Sequence, residues 1–336
     1  MQNTTVYLAD VSTFSDALVK FTNAFGTIAG FLAILLIIFF AAGRATGRVV
    51  KPLTVLVFLG PALLLLLVGL IIPAIRTFYL SFKNSDSTKY LGFKNFQWAF
   101  TTSEIQGVLV HTLLWIIVAP LVTTGLGLGI ALLVDRLKRQ ALYKSLIFMP
   151  MAISFVGASI IWKFVYDSRD PSQAQIGLLS QVVIALGWKH PPNWILTSPL
   201  NTFLLMVIMV WIQTGFAMVV LSAAIKAIPE EILEAARMDG ATGSRLFFNV
   251  TIPMIRNTLI VVLTTVMITT LKVFDIVRTM TGGNFNTQVL ANEMYSQSFI
   301  AGNVGRGSAL AVILFLAVLP LVGYNIVQLR RERATR

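Results

Sequence analysis

Seven stretches of this chain are apolar enough to be membrane-spanning helices, and this feature limits its fold more than any other. A helix needs about 20 apolar residues to cross the ~30 Å core of a bilayer. The sixth stretch is short, but Arg256 and Lys272 at its ends can reach the headgroups. The sequence therefore predicts an all-α, polytopic membrane protein with seven transmembrane helices. These are Phe25–Ala42, Leu53–Ile75, Val108–Val134, Leu146–Tyr166, Leu200–Ile225, Asn257–Leu271 and Ser308–Leu329.

The composition excludes most other classes of protein. Charged residues make up 12% of the 336 residues, whereas an ordinary soluble domain has roughly 25%. With a mean hydropathy of +0.81, the chain cannot be a soluble enzyme or a disordered protein. It has no cysteine and two histidines, which excludes disulfides, thiolate metal sites and histidine-rich metal sites.

The basic residues lie mainly on one side of the predicted membrane. Fifteen of the 26 lysines and arginines fall in segments 43–52, 135–144, 226–256 and 330–336, and eight fall on the opposite side. Because cytoplasmic loops are rich in Lys and Arg, this bias predicts an external N-terminus and a cytoplasmic C-terminus. The net charge of +12 thus reflects topology. It does not indicate nucleic acid, since no basic run is interleaved with stacking aromatic residues in a polar domain.

The predicted cytoplasmic segment between the fifth and sixth spans has the pattern of two short helices. Pro229 suits the first turn of a helix, and Gly240 can adopt the left-handed conformation that ends one. Thr242 or Ser244 can cap the second helix. Pro253 is then expected to open the next span. A helix–turn–helix at the membrane surface is suited to binding by a partner protein.

This segment carries a motif. Glu234-Ala235-Ala236, Gly240 and Val250-Thr251-Ile252-Pro253 resemble the E-A-A-x3-G-x9-I-x-L-P loop of ABC importer permeases. In that family the loop inserts into a cleft of the ATP-hydrolysing subunit. The resemblance implies that residues 228–253 are a coupling loop. Its candidate residues are Glu234, Ala235, Ala236, Asp239, Gly240, Ala241 and Pro253. The alternative is an interfacial amphipathic helix that ends at a glycine.

The resemblance extends to most of the chain. Phe274–Ile276 followed by Met280–Gly283 resembles the segment after the sixth span of maltose-type sugar permeases, and Gly92–Phe96 resembles their outer helix. Three runs are similar to the permease of α-glucoside importers: Ser145–Asp167, Trp211–Ser222 and Arg306–Leu314. The similarity implies two parts: residues 1–52 with an extra transmembrane helix, and residues 53–336 with the six-helix type I core. Asn284 departs from the family, which often has proline after the Gly-Gly pair.

The chain cannot hydrolyse ATP itself, because it has no G-x-x-x-x-G-K-[ST] phosphate loop. The resemblance implies that ATP and Mg are bound by two separate ABC ATPase subunits, so we expect no cofactor in this chain. It also implies a second permease subunit and an extracytoplasmic sugar-binding protein. The implied mechanism is alternating access across a prokaryotic cytoplasmic membrane.

A sugar path through such a bundle needs side chains that match hydroxyl groups, together with an aromatic face. The candidates are Trp211, Gln213 and Thr214 in the fifth span, Thr269 and Thr270 in the sixth, and Lys272 and Asp275 at its outer end. The threonine hydroxyls can instead bond to their own helix. Lys272 and Asp275 can simply form an i,i+3 ion pair. We favour Gln213 as the substrate contact.

The expected function is import of an α-glucoside such as maltose, sucrose or trehalose. A glucoside compatible solute such as glucosylglycerol is the alternative within the same class. A secondary transporter should have inverted repeats and acids inside its spans, and neither is evident here. A membrane hydrolase needs a base beside a nucleophile or a metal, but His111, at the outer start of the third span, has no evident companion.

Overall fold

The structure, a computed structural model, describes residues 50–170 and 172–334. Before them it describes residues 18–23 and positions 25, 26, 29, 30, 33, 36 and 40, which are helical. Most of the predicted first span, Phe25–Ala42, therefore lies outside the described residues. Over the described ranges the chain is almost wholly helical, and the one strand-like pairing there is a single bridge between Lys83 and Tyr90.

From residue 50 onward, the described part of the chain contains fourteen helices. They are α1 (Val50–Leu66), α2 (Ile72–Leu80), α3 (Lys94–Thr101), α4 (Ser103–Val134), α5 (Gln140–Phe148), α6 (Phe155–Val165), α7 (Leu178–Ala185), α8 (Leu200–Lys226), α9 (Glu230–Met238), α10 (Gly243–Leu246), α11 (Ile252–Leu271), α12 (Asp275–Met280), α13 (Leu290–Tyr295) and α14 (Val304–Ala334). A 3₁₀ turn, Met149–Ala152, separates α5 from α6. Three π-helical turns also occur, at Leu67–Ile71, Phe247–Thr251 and Ser296–Ile300.

Five helices of the described part are long and apolar enough to cross a membrane, and a sixth is obtained when the bent pair α5–α6 is taken as one span. The five are Phe58–Leu80, Ser103–Val134, Leu200–Lys226, Gly243–Leu271 and Val304–Val327. They coincide with the second, third, fifth, sixth and seventh predicted spans. The all-helical membrane fold is therefore confirmed, while the count of seven stays a prediction.

The predicted fourth span, Leu146–Tyr166, is bent. It contains the last residues of α5 and all of α6, and these two helices meet at an angle of 101°. Pro150 lies in the 3₁₀ turn between them, where its fixed φ and missing N–H stop the α-helix. Ser154 then starts α6 as its N-cap, since its Oγ accepts a hydrogen bond of 3.1 Å from the Gly157 backbone N–H. Pro150 and Ser154 thus account for the bend.

Pro253 lies in the first turn of α11, as the sequence predicts, but the span itself begins earlier. The helix that begins at Gly243 continues through the π-helical turn Phe247–Thr251 into α11. Thr242 holds the N-cap position without a side-chain capping bond. Proline lacks the N–H that would bond four residues back, and a π-helical turn directly before it accommodates that loss. Pro73 follows the turn Leu67–Ile71 in the same way.

α8 lies at the centre of the bundle. In its most apolar stretch 61% of the residues are buried, against 33% in α4 and 17% or less in the other spans. Two glycines allow close approach to it. A Cβ at Gly127 of α4 would lie 2.5 Å from the Ala217 Cβ, and one at Gly215 would lie 2.6 Å from the backbone O of Ile147. α4, α5 and α8 are therefore packed backbone against backbone, as expected for small residues in membrane helices.

The outer helix α3 joins two neighbouring segments. The buried Asn95 side chain donates hydrogen bonds to the backbone O of Ser81 (2.8 Å) and Lys83 (2.7 Å). On the other side the Arg306 guanidinium, at the start of α14, lies 4.4 Å from the ring centre of Trp98. These contacts explain why the G-x-x-N-aromatic segment has an asparagine at this place.

Candidate functional site

The segment that follows α8 forms an exposed turn. None of the residues of α9 is buried. The helix ends in a Schellman motif: the N–H of Gly240 donates to the Arg237 O (3.0 Å) and that of Ala241 to the Ala236 O (2.9 Å). Gly240 has φ +81°, in the left-handed region that glycine adopts without strain. The predicted helix end at Gly240 is confirmed.

The surface of this turn is acidic and presents one long apolar side chain. Met238 is 88% exposed, the largest value among the exposed large hydrophobic side chains of the described part. Four exposed carboxylates lie on α9 and the residue after it, and no ion pair to a lysine or arginine is found for them within the described ranges. They belong to Glu230, Glu231, Glu234 and Asp239. Unpaired charges around an exposed methionine are typical of a surface that a partner covers. We call Glu234, Ala235, Met238 and Asp239 the acidic turn.

A cavity of about 180 Å³ lies where α6, α8, α11 and α12 meet. It brings together Thr269, Lys272 and Asp275, three of the predicted path residues. No ion pair joins Lys272 to Asp275 in the described structure, so the ion pair given as the alternative for these two residues is not formed there. The remaining lining residues are mostly apolar: Phe155, Met209, Val273, Phe274 and Ile276.

Gln213 lies one helical turn after Met209 on the same face of α8. Its side chain is therefore on the helix face that lines the cavity, one turn closer to the C-terminal end of α8. Its side chain is 9% exposed, and no hydrogen-bond partner for it is found among the described residues. Buried polar side chains are normally hydrogen-bonded. Gln213 is thus the predicted path residue with the most unused hydrogen-bonding capacity.

The path threonines bond to their own helices. The hydroxyl of Thr214 donates to the Val210 O (2.6 Å), and that of Thr270 to the Val266 O (2.8 Å). Thr269 does the same with a carbonyl one turn earlier, although it also lines the cavity. Local bonding, the alternative given for these residues, is therefore present at all three.

Trp211 is half-buried and packs against the apolar core. Its ring meets that of Trp162 edge to face, with 5.7 Å between the ring centres. This contact holds the indole between α6 and α8, near the cavity but outside its lining.

A second cavity of about 400 Å³ adjoins the first and shares Lys272 and Phe274 with it. Tyr295 of α13 lies at its wall, 5.1 Å from the Phe274 ring centre, and the Arg278 guanidinium lies 4.9 Å from the Tyr295 ring. Tyr295 is not among the residues predicted from the sequence, because its approach to Phe274 depends on how the segment after α12 folds back. The two cavities together give an aromatic and charged outer region.

The sequence analysis also missed two threonines of α4. The side chains of Thr123 and Thr124 are 0% and 4% exposed, and their hydroxyls have no partner in the described part of the chain. They lie one turn before Gly127, which packs against Ala217 of α8. Hydrophobic periodicity alone gave no signal for them.

Comparisons with known proteins give the family. Residues 123–336 match the family model described as the binding-protein-dependent transport system inner membrane component. The chain is 48% identical over 279 residues to the osmoprotective compounds uptake permease protein GgtC of Synechocystis sp., covering 83% of this chain and 100% of that protein. It is 45% identical over 295 residues to the alpha-glucoside transport system permease protein AglF of Rhizobium meliloti, covering 88% of each.

The fold has a counterpart among solved structures. A chain of a bacterial ABC transporter involved in the import of alginate superposes with a TM-score of 0.71 at 19% identity, covering 85% of this chain and 99% of that one. The fold, the apolar helices and the family model agree with one another. The chain is therefore a multi-pass inner-membrane protein that belongs to the family of binding-protein-dependent transport system inner membrane components, the permeases of ABC importers.

Proposed function

We propose that this permease moves an α-glucoside, such as maltose, sucrose or trehalose, across the cytoplasmic membrane by alternating access. The observation that carries the proposal is the cavity that gathers Thr269, Lys272 and Asp275, with the buried, unpaired Gln213 one turn beyond it. A hydroxyl, two charges and an amide suit a polyhydroxylated ligand, and Phe274 supplies an aromatic face. The relative AglF is named for alpha-glucoside transport.

A glucoside compatible solute such as glucosylglycerol is the second candidate substrate. The relative GgtC is named for the uptake of osmoprotective compounds, and the same polar groups fit a short glucoside. Both candidates require hydrogen bonds to sugar hydroxyls. They differ in the second half of the ligand, which the outer cavity lined by Tyr295 would contact.

The proposed topology has seven spans, with residues 1–52 contributing an extra helix and residues 53–336 forming the six-helix core. The N-terminus is external and the C-terminus cytoplasmic. Contacts within the described part support this alternation. Asp135 contacts Ser222 and Lys226. This agrees with a topology in which the connections after α4 and after α8 lie on the same side of the membrane. The Asn201 side-chain amide donates a hydrogen bond to the Phe285 O (2.8 Å). This agrees with a topology in which the connections before α8 and after α11 lie together on the opposite side of the membrane.

Residues 228–253 are proposed to dock into an ATPase subunit, with Pro253 closing the motif. The acidic turn supports this role, because its exposed carboxylates and Met238 would complement a partner surface that is basic and has an apolar part. The chain itself performs no hydrolysis. Its proposed partners are two ABC ATPases that bind ATP and Mg, a second permease subunit and an extracytoplasmic sugar-binding protein. Closure of the ATPases would move the two coupling segments together and open the path outward.

The substrate path is tested by replacing Gln213 with alanine. We expect the complex to assemble normally and uptake at low sugar concentration to fall about three- to tenfold, because one hydrogen bond to the sugar is lost. The measurement is uptake of radiolabelled maltose, sucrose, trehalose and glucosylglycerol by the reconstituted complex.

The control for this variant is Thr265→Val. It removes a hydroxyl that bonds to its own helix at the Val261 O (2.7 Å) and that does not line the cavity. Uptake by this variant should equal that of the wild type. Unchanged uptake of all four sugars by Gln213→Ala would remove Gln213 from the path.

A further inference from the structure

One carboxylate ties together the ends of three helices, directly before the proposed coupling segment. Asp135 follows the last residue of α4, and its side chain is 13% exposed. The Lys144 ammonium of α5 lies 2.6 Å from its Oδ1. The Ser222 hydroxyl of α8 donates to the same carboxylate, with oxygen–oxygen distances of 2.9 and 2.8 Å.

Two further side chains complete the cluster. The Lys226 ammonium lies 3.4 Å from Oδ1 of Asp135 and donates to the Oε1 of Gln140. The Nε2 of Gln140 in turn donates to the backbone O of Asp135 (3.3 Å). We call Asp135, Gln140, Lys144, Ser222 and Lys226 the Asp135 cluster. One carboxylate lies between two lysines in this cluster. Its contacts therefore form a network and not a single surface ion pair.

The carboxylate is held in its charged form. Partial burial favours the neutral acid, but hydrogen bonds from Lys144 and Ser222 and the charges of Lys144 and Lys226 outweigh this effect and lower the pKa of Asp135 below its usual value. The cluster therefore stabilises the charged form of Asp135.

The position of the cluster gives it a mechanical role. Lys226 is the last residue of α8, and α9 begins shortly after it at Glu230. Further along the same helices, Gly215 and Gly127 allow α8 to pack directly on α5 and α4. A displacement of the coupling segment would enter α8 at Lys226, and the cluster would pass it to α4 and α5. Because close-packed interiors transmit strain, we expect these three helices to move together while their ends stay joined.

We infer that Asp135 is a positioning residue that transmits the movement of the coupling segment to the helices around the substrate path. This inference rests on the proposed docking of residues 228–253. The variant Asp135→Asn keeps the size and part of the hydrogen bonding but removes the charge. We expect its complex to retain the ATPase subunits and to hydrolyse ATP, while the amount of sugar imported per ATP falls about tenfold.

The test compares four proteins in the full reconstituted complex: wild type, Asp135→Asn, Asp135→Glu and Arg136→Gln. Arg136 is an exposed neighbour in the same loop and lies outside the cluster, so its replacement should leave uptake per ATP unchanged. Asp135→Glu should restore much of the coupling, since it restores the charge. Maltose, sucrose, trehalose and glucosylglycerol serve as radiolabelled probes.

Two results would overturn the inference. One is that Asp135→Asn imports as much sugar per ATP as the wild type. The other is that it lowers only the yield or the melting temperature, with normal uptake per ATP by the complex that remains, which is the behaviour of a merely structural tie. Loss of ATPase co-purification on changing Gly240 tests the docking of the coupling segment separately, so failure of the Asp135 role and failure of that docking are distinguishable.

Discussion

Replacement of Gly240 by valine is expected to abolish uptake and the co-purification of the ATPase subunits, while the protein still inserts into the membrane. Gly240 has φ +81°, and a β-branched residue in that region is a strong outlier. A left-handed conformation costs a non-glycine residue about 1–2 kcal/mol. A Cβ at this position meets no atom within 4 Å, so the cost comes from the backbone alone. The helix end at Gly240 would open, and the side chains of the acidic turn would point in a different direction.

Two controls separate backbone strain from other effects of this change. Gly240→Asn should retain more function than Gly240→Val, because asparagine tolerates the left-handed region. Gly187→Val places the same strain after α7, where Gly187 has φ +97° and open space around it, and should leave ATPase co-purification intact. Equal co-purification in Gly240→Val and the wild type would contradict the docking role of this turn.

Replacement of Gly127 by valine is expected to give the largest loss of stable protein. The new Cβ would lie 2.5 Å from the Ala217 Cβ and 2.9 Å from the Met218 backbone N. Because a backbone atom cannot rotate out of the way, α4 and α8 must separate. Overpacking of a well-filled core costs typically 1–3 kcal/mol, and the loss here should reach about 3 kcal/mol or more, since α8 is the centre of the bundle. The measurement is the yield and the melting temperature of the purified complex.

The neighbouring glycines of α4 are matched controls for this prediction. Cβ atoms at Gly125 and Gly129 meet nothing within 4 Å, so Gly125→Val and Gly129→Val should leave the packing of α4 on α8 unchanged. A Gly127→Val protein with the yield and melting temperature of Gly125→Val would show that the close approach of α4 and α8 is not needed.

The sequence predicted features that depend on local chemistry. Span positions follow from runs of apolar residues, so five predicted spans overlap helices that are long enough to cross a membrane, although the helix of the sixth predicted span begins at Gly243 and not at Asn257. The helix end at Gly240 also follows from a local rule, because glycine is the residue that adopts the left-handed conformation without strain. The bend between α5 and α6 was missed, although Pro150 and Ser154 are local signals for it. The apolar stretch 146–166 predicts a span by its length and gives no angle between its parts.

Contacts between residues that are far apart in the chain could not be predicted from the sequence. Asp135 contacts Ser222, 87 positions away, and no periodicity predicts that pairing. The basic residues Lys144 and Lys226 had been counted only as topology signals. At the substrate path the residue types were recognised, yet the sequence did not distinguish Gln213, which is unpaired, from Thr214, which bonds to its own helix. That distinction depends on side-chain orientation.

The most direct test of the central claim is uptake by proteoliposomes that contain this chain with its second permease, the two ATPases and the external binding protein. Radiolabelled maltose, sucrose, trehalose and glucosylglycerol are supplied together with the binding protein, and ATP is supplied on the side of the ATPases. We predict accumulation of at least one of these glucosides that requires both ATP and the binding protein. Accumulation driven by a proton or sodium gradient without ATP, or ATP-dependent transport that accepts none of the four, would contradict the account.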